Sequence, residues 1–427
     1  MSFARQSLGS LLALSIGVFV SVLLPRVLGP EARGEYQLAV KLAGLVLAVA
    51  QWGIPEVLLQ ALADRRGSQG VLIGTSLVLG VAGAIVMALV LWLLAPLFQD
   101  NLLKGVDPLL LVLTLGGSVA SLLGILARRF IQLGGRLDVY NGLDIVRTAL
   151  FLALVALGGV LLPRQALGPT LAWLAGEVGL AAVAIAFLLR KTGGWRAQPS
   201  VARELATAGA PIQFGLLGMF VGSEGGAFVL NANLDVAAVG IYSVALSVSR
   251  LVLQVSVALR TALQPRLMGS ERDSAAVTAR MTRHGLLWMF FLAVALAVGS
   301  PLAPVIFTRE FTAVGPALVL LLPGMVAYGV WQLLASHLLR IGRRGLLACI
   351  AWLFGIVSIV LQAIGAQLFG LVGATAGLSM AYIVATLVVL VAFVQLSGRP
   401  VRELVPVPGD LAFYVGLTRR VLAKNAA

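Results

Sequence analysis

The sequence is poor in charged residues and contains a single cysteine. Asp, Glu, Lys and Arg make up only 11% of the 427 residues, whereas a soluble domain carries about 25%. So few charges cannot cover a surface that faces water, which excludes an ordinary soluble protein. A disordered chain is excluded too, because such chains are polar throughout. Cys349 has no second cysteine to pair with, which rules out a disulfide scaffold.

Motifs for metal or cofactor binding are also lacking. The two histidines, His284 and His337, lie far apart in the sequence, and we interpret both as interfacial residues that bind no metal. No glycine-rich loop has the spacing that cradles a phosphate group. The connections between apolar segments are too short to hold a catalytic domain. We therefore expect a protein that is not an enzyme and that needs no cofactor and no metal.

Apolar sequence is abundant instead. Apolar residues make up 60% of the chain and the mean hydropathy is +1.01, which is typical of an integral membrane protein. A spanning helix needs roughly 20 mostly apolar residues. The segments of this kind are 7–25, 37–62, 71–97, 108–127, 139–162, 169–189, 211–230, 239–265, 285–307, 315–339, 345–368 and 371–396. We predict an all-α membrane protein with about twelve transmembrane helices, the first of them a retained helix and not a signal peptide.

Cations are distributed unevenly between the two sides of the predicted membrane. The formal net charge is +14, and the cationic residues fall mainly in every second connection. The opposite connections hold only a few of them: Arg26, Arg33, Lys104, Arg164 and Arg309. Cytoplasmic loops collect Lys and Arg, so we predict a multi-pass protein of the cytoplasmic membrane with both termini in the cytoplasm. The same rule explains the net charge without a nucleic acid partner.

The sequence contains an internal repeat. Gly34–Ala39 recurs as Gly240–Ala245, each with the pattern Gly-x-Tyr-x-x-Ala, at an offset of 206 residues that is close to half the chain. Both copies lie where an outer loop enters an even-numbered helix. An offset of six helices preserves orientation, so we predict parallel repeats related by an axis along the membrane normal. The predicted units are an N-terminal six-helix bundle (1–190), a cytoplasmic linker (191–210), a C-terminal six-helix bundle (211–396) and a cytoplasmic tail (397–427).

Four cations lie inside predicted spans, where each costs about 2.5–3.5 kcal/mol on insertion scales and should face a partner or a wet cavity. Arg250 is near the midplane, too deep to reach the headgroups easily. Lys41 corresponds through the repeat to Ser247, which is on the same helical face as Arg250. We predict that Lys41, Arg147, Arg250 and Arg260 form a cationic, substrate-binding cavity between the two bundles.

Alternatives stay open for three of these cations. Lys41 lies close to the predicted outer boundary of its span and Arg260 close to the inner one, so both side chains could extend to headgroups. Arg147 follows Asp144 at the i,i+3 spacing, which favours an ion pair within one helix.

Three carboxylates in the spans are candidates for ion coupling: Glu224, Glu177 and Glu56. A buried carboxylate that has no cation partner takes up a proton more easily, and proton coupling needs that property. Gly225 and Gly226 follow Glu224, so we predict a break in the helix at this point, as is common at transporter sites. Glu56 follows a predicted kink at 52–55, and pairing with a nearby Arg is the alternative for it.

The order and spacing of several short motifs resemble a known family. Leu28-Gly29-Pro30 precedes the first Gly-x-Tyr motif, at Gly34. The second Gly-x-Tyr motif, at Gly240, opens the eighth predicted helix, and Leu263–Leu267 ends that helix. Leu338–Arg343 and Phe369–Ala374 follow the tenth and eleventh spans. Over essentially the whole chain this pattern resembles the polysaccharide/oligosaccharide flippases of the multidrug/oligosaccharidyl-lipid/polysaccharide (MOP) exporter superfamily.

The resemblance implies two six-helix bundles that form a V around a central cationic cavity. It also implies a polyprenyl-diphosphate-linked oligosaccharide as substrate, moved from the inner to the outer leaflet by alternating access for polysaccharide biosynthesis. Protons or Na⁺ as coupling ions, membrane lipid, and other polysaccharide-assembly proteins are the partners that it implies. The alternatives are a drug/cation antiporter of the same superfamily, a major-facilitator carrier, a membrane-embedded glycan polymerase or ligase, and a scaffold without transport activity.

Overall fold

The computed structural model describes residues 2–63, 68–267, 271–407 and 409–410. Within these ranges the regular structure is helical, and no strand is present. The α-helices are α1 (Ser2–Ala50), α2 (Ile54–Ala63), α3 (Gln69–Phe98), α4 (Pro108–Leu133), α5 (Leu137–Leu161), α6 (Leu167–Thr192), α7 (Pro199–Glu224), α8 (Gly226–Asn233), α9 (Val236–Ser249), α10 (Leu253–Leu267), α11 (Glu271–Gly299), α12 (Ala303–Ile306), α13 (Val314–Arg340) and α14 (Arg344–Ser397). The predicted all-α fold is confirmed.

Nine helical stretches of the described residues are long and apolar enough to cross a bilayer. The longest, α14, has 54 residues, about 80 Å of straight helix, whereas a hydrocarbon core is about 30 Å thick. Gly370 interrupts it with a φ of 61°, a conformation that favours glycine. Gly365 and Gly373 lie backbone to backbone on either side of this residue. The chain therefore reverses at Gly370, and α14 is a helical hairpin that covers the predicted spans 345–368 and 371–396.

A similar interruption divides α1. Gly29 has a φ of 74°, and Pro30 then opens the next helical segment at a position that suits proline. The predicted kink after this segment is also present, because Trp52 and Gly53 have φ angles of 50° and 63° between α1 and α2.

Two helix starts are fixed by aspartate caps. The Asp107 side chain accepts a hydrogen bond from the backbone N–H of Leu109 (2.8 Å) at the start of α4. Asp235 accepts one from Ala238 (2.7 Å) at the start of α9. Each cap satisfies a backbone N–H that has no partner within the helix.

Helices α1 to α6 (the N half) and α7 to α14 (the C half) each pack mainly among themselves. In the N half, α4 packs on α3 and α6, and α5 packs on α1 and α6. In the C half, α14 packs on α7 and α13, and α13 packs on α11. The halves meet chiefly where α1 packs on α9. Since α6 ends at Thr192 and α7 begins at Pro199, the predicted linker 191–210 includes the first turns of α7. Residues 411–427 of the predicted tail, and the sequence at 64–67, lie outside the described residues.

Candidate functional site

The two copies of the sequence repeat touch each other at the interface between the halves. A Cβ atom on Gly34 would overlap the carbonyl oxygen of Val236, and a Cβ on Gly240 would overlap that of Pro30. Pro30 and Val236 are separated by the same 206 residues as the two glycines. The contact is therefore equivalent from both sides, as a two-fold relation between the repeats requires. Only glycine permits the two backbones to approach this closely.

Further contacts join the halves at the same end, the outer one in the predicted orientation. The Arg26 guanidinium donates hydrogen bonds to the carbonyl oxygens of Ile306 (2.6 Å) and Val305 (2.8 Å). Arg164 pairs with Glu310 at 2.9 Å. We call these contacts, together with the Gly34–Gly240 crossing, the outer seal.

Three charged side chains meet below the outer seal. The Nζ atom of Lys41 (α1) pairs with Oε2 of Glu224, at the end of α7. The other carboxylate oxygen, Oε1, pairs with Nη2 of Arg250, in the short 3-10 turn between α9 and α10. We call Lys41, Glu224 and Arg250 the central triad. It brings together one cation from each half, and its formal charge is +1.

The depth of Lys41 differs from the prediction. It lies eleven residues after Pro30, where the helical segment begins, and hence roughly 16 Å along the helix. Its side chain is 4% exposed, so it does not extend to the headgroups. The span was predicted to start at residue 37, and this start placed Lys41 too close to the outer boundary of the membrane.

Glycines position the carboxylate of the triad. α7 ends at Glu224 and α8 begins at Gly226, but Gly225 between them keeps helical φ and ψ angles of −61° and −27°. The predicted break is therefore only a one-residue interruption in a helical stretch that runs from 199 to 233. A Cβ on Gly226 would overlap the Gln362 side chain of α14, and one on Gly222 would overlap the ring of Phe354. Small residues therefore let α14 pack closely against the junction of α7 and α8.

A second charged cluster lies entirely within the N half. Arg128 and Arg147 both pair with Asp144, at 2.8 and 3.4 Å, and Arg147 also pairs with Glu177 at 2.9 Å. We call these four residues the N-half network. The predicted i,i+3 pair of Asp144 and Arg147 is thus present. Glu177 and Glu224 each accept from at least one cation, so neither is a buried carboxylate without a cation partner.

The N-half network borders a cavity of about 210 Å³, lined by Arg147 and Glu177 together with Tyr36 and Trp173. Arg147 was predicted to share the central cavity with Lys41 and Arg250. The structure instead places it beside Glu177, among helices of its own half.

The two remaining candidates, Glu56 and Arg260, line a cavity of about 540 Å³ whose other described lining residues belong to the C half. Arg344, Tyr328 and Gln332 lie in the same wall. The cavity is at the cytoplasmic end in the predicted orientation, because Arg344 begins α14 in a connection on that side. Arg260 and Arg344 thus place two further cations at this end.

Sequence reasoning missed two buried residues of the interface region. Arg33 was assigned to an outer loop, but it is a helical residue of α1, 6% exposed, and its guanidinium lies over the ring of Tyr36 at 5.7 Å. Gln213 of α7 accepts from the backbone N–H of Gly53 (2.7 Å) and donates to the carbonyl oxygen of Ala48. Gln213 could have been identified from the sequence, because an uncharged polar residue in an apolar span needs a hydrogen-bond partner.

Residues 4–271 match the family described as "Polysaccharide biosynthesis protein", which is more than half of the chain. The chain belongs to this family. Among curated proteins, no sequence matches it.

Solved structures show the same fold. The lipid II flippase MurJ in its inward closed conformation is 14% identical, with 94% of this chain and 89% of MurJ covered at a TM-score of 0.74. An inward-facing multidrug resistance MATE transporter of the MOP superfamily is 17% identical over 92% of this chain and 94% of that one, with a TM-score of 0.64. A mutant of the Vibrio cholerae MATE transporter VcmN is 17% identical over 91% and 93%, with a TM-score of 0.56. The predicted MOP exporter fold is confirmed.

Proposed function

We propose that this protein is a flippase that moves a polyprenyl-diphosphate-linked oligosaccharide from the inner to the outer leaflet of the cytoplasmic membrane by alternating access. Its family supports a role in polysaccharide biosynthesis. The fold that it shares with a lipid II flippase supports a lipid-linked substrate. The observation that carries the proposal is the central triad, in which Lys41 and Arg250 converge from the two halves.

The charge of the triad favours an anion. Two cations face one carboxylate, so the site keeps a formal charge of +1, and phosphate oxygens accept strong charge-assisted hydrogen bonds from Lys and Arg. Arg260 and Arg344 line the cavity at the cytoplasmic end. The diphosphate would move from these exposed arginines to the triad while the prenyl chain stays in the lipid.

The contacts between the halves support a state that faces the cytoplasm. The outer seal closes one end of the interface, whereas the cavity of about 540 Å³ lies at the other. Alternating access would then require the outer seal to open and this cavity to close, as the halves rock about their common axis. Protons or Na⁺ would drive the cycle, with Glu224, Glu177 and Glu56 as the candidate coupling groups.

A drug/cation antiporter is the second candidate. The observation that favours it is the carboxylate of Glu224 at the centre of the interface, in a fold shared with MATE transporters. A cationic drug would need that carboxylate free, but both of its oxygens are taken by cations. The geometry therefore favours the lipid diphosphate.

Transport in proteoliposomes tests the proposal. A fluorescent polyprenyl-diphosphate oligosaccharide is placed in the membrane, and its exposure to an external quencher is followed. We expect wild type to flip this lipid and Arg250→Ala to lose the activity while still inserting into the membrane. Arg136→Ala is the matched control, because Arg136 forms an exposed pair with Asp138 (3.0 Å) away from the interface. Flipping by Arg250→Ala at the wild-type rate, or transport of a cationic dye in place of the lipid, would overturn the proposal.

A further inference from the structure

We propose that Glu224 is an internal competitor for the substrate's phosphates: it occupies Lys41 and Arg250 in the empty protein, and only a strongly charged headgroup such as a diphosphate displaces it. This inference rests on the proposed function. It makes Glu224 the residue that sets the preference for diphosphate over monophosphate.

The first support is the way in which the carboxylate is shared. Each oxygen of Glu224 pairs with a different cation, one from each half. A phosphate group offers the same feature, namely separate oxygens that can accept from two donors at once. The side chain therefore occupies the positions that phosphate oxygens would take.

The second support is the cost of leaving the cations unpaired. The Lys41 side chain is 4% exposed and that of Arg250 is 38% exposed. Without an anion between them, two like charges would face each other in a medium of low dielectric, which is strongly unfavourable. Glu224 removes this repulsion while no substrate is present, and so lets the halves stay together.

The third support is where Glu224 sits in its helix. It is the last residue of α7, and Gly225 and Gly226 follow it directly. Gly225 keeps helical φ and ψ angles, but glycine restricts the backbone least, so a small rotation there can move the Glu224 side chain. The Glu224 side chain is 20% exposed, more than that of its lysine partner, so it is the less tightly enclosed of the two.

Selectivity follows from this competition. Because Glu224 is tethered beside the cations, its effective concentration is high, and a ligand must offset the loss of its two contacts. A diphosphate brings more negative charge and more acceptor oxygens than a monophosphate. The competitor therefore lowers the affinity for a monophosphate more than the affinity for a diphosphate.

Binding of two sugar-free lipids to the full-length protein in nanodiscs tests the inference. The probes are polyprenyl diphosphate and polyprenyl monophosphate, and the variant is Glu224→Gln, which keeps the size of the side chain and removes its charge. Hydrogen bonds to charged groups contribute about 1.5–3 kcal/mol, so we expect the affinity for monophosphate to rise by about tenfold or more. The affinity for diphosphate should rise less, so that the ratio of the two affinities falls.

The matched control is Asp144→Asn in the N-half network. Asp144 also pairs with two arginines, but both belong to its own half, so neither affinity should change. A Glu224→Gln protein with an unchanged affinity ratio, or with weaker binding of both lipids, would overturn the inference. If Glu224→Gln does not fold, Glu224→Asp decides. The shorter aspartate side chain cannot contact both cations. The ratio of diphosphate to monophosphate affinity should therefore fall, by a smaller factor than in Glu224→Gln. An unchanged ratio there overturns the inference as well.

The result also separates this inference from the proposed function. If wild type binds neither lipid, the proposed function fails. If wild type binds the diphosphate and the Glu224 variants keep its selectivity, the proposed function stands and only the role of Glu224 as a competitor fails.

Discussion

The central triad and the N-half network use the same chemistry to different ends. Each is built on a carboxylate that two cations share, Glu224 in one and Asp144 in the other. In the N-half network a second acid, Glu177, balances the second arginine, so the cluster is neutral and lies within one half. The triad has no second acid and joins two halves. A balanced cluster inside one half stabilises the fold, whereas an unbalanced one between moving halves can bind and release an anion.

Removing one cation from each cluster is the strongest test of this comparison. We expect these two variants to differ from each other in lipid transport and binding more than any other pair. Lys41→Gln should lower the rate of lipid flipping by about a hundredfold, because one charge-assisted contact to the diphosphate is lost. Arg147→Gln should leave the affinity for polyprenyl diphosphate within about twofold of wild type. Flipping assays and nanodisc binding measure the two effects. Equal losses of affinity in both variants would show that the clusters do not differ in role.

The outer seal allows a second test of the interface. In Gly34→Leu or Gly240→Leu the new side chain would overlap a backbone carbonyl of the opposite half, and we expect the seal to open. A cysteine replacing Ser247, with Cys349 changed to Ser, should then react at least about tenfold faster with an impermeant thiol reagent added outside.

The two glycine variants should respond alike, since the contact is equivalent from both sides. Gly116→Leu is the control, because no atom lies within 4 Å of the position where its Cβ would be built. Unchanged labelling in both interface variants would argue that the seal does not depend on the glycine crossing.

Glu177→Gln tests whether Glu177 stabilises the N-half network or serves as a coupling group. Arg147 loses one of its two acidic partners and keeps Asp144, so we expect a loss of about 1–3 kcal/mol in stability. Thermal unfolding of the purified protein should show a lower midpoint, with lipid affinity unchanged. A large loss of lipid affinity at wild-type stability would instead make Glu177 part of the substrate or coupling site.

The smallest effect is expected at the exposed part of the outer seal. The Arg164 side chain is 72% exposed and that of Glu310 is 41% exposed, and such pairs contribute less than about 1 kcal/mol. Arg164→Ala should therefore change the rate of lipid flipping by no more than about threefold. A complete loss of flipping would mean that this pair, and not the glycine crossing, closes the outer end.

Local features of the site could be predicted from the sequence. The i,i+3 spacing predicted the pair of Asp144 and Arg147, and Gly225 and Gly226 predicted the boundary between α7 and α8. The repeat predicted that Lys41 and Arg250 belong to related helices. Each of these depends on neighbours in the sequence or on a shared pattern, and needs no knowledge of how the helices pack.

Partners across the interface could not be predicted in this way. The contacts of Glu224 with Lys41 and Arg250 depend on how α1, α7 and α9 pack, which no spacing encodes. The depth of Lys41 was misjudged because the helix start was set by apolar content. Gly29 and Pro30, a glycine that can adopt positive φ followed by a proline suited to the first turn, mark the start correctly.

The most direct test of the account is the affinity of polyprenyl diphosphate for wild type, Lys41→Gln and Arg250→Gln, measured in nanodiscs with Arg136→Gln as control. We predict that each triad variant binds at least about tenfold more weakly, while the control binds as wild type does. Wild-type affinity in either triad variant would contradict the claim that these two cations hold the phosphates of the substrate.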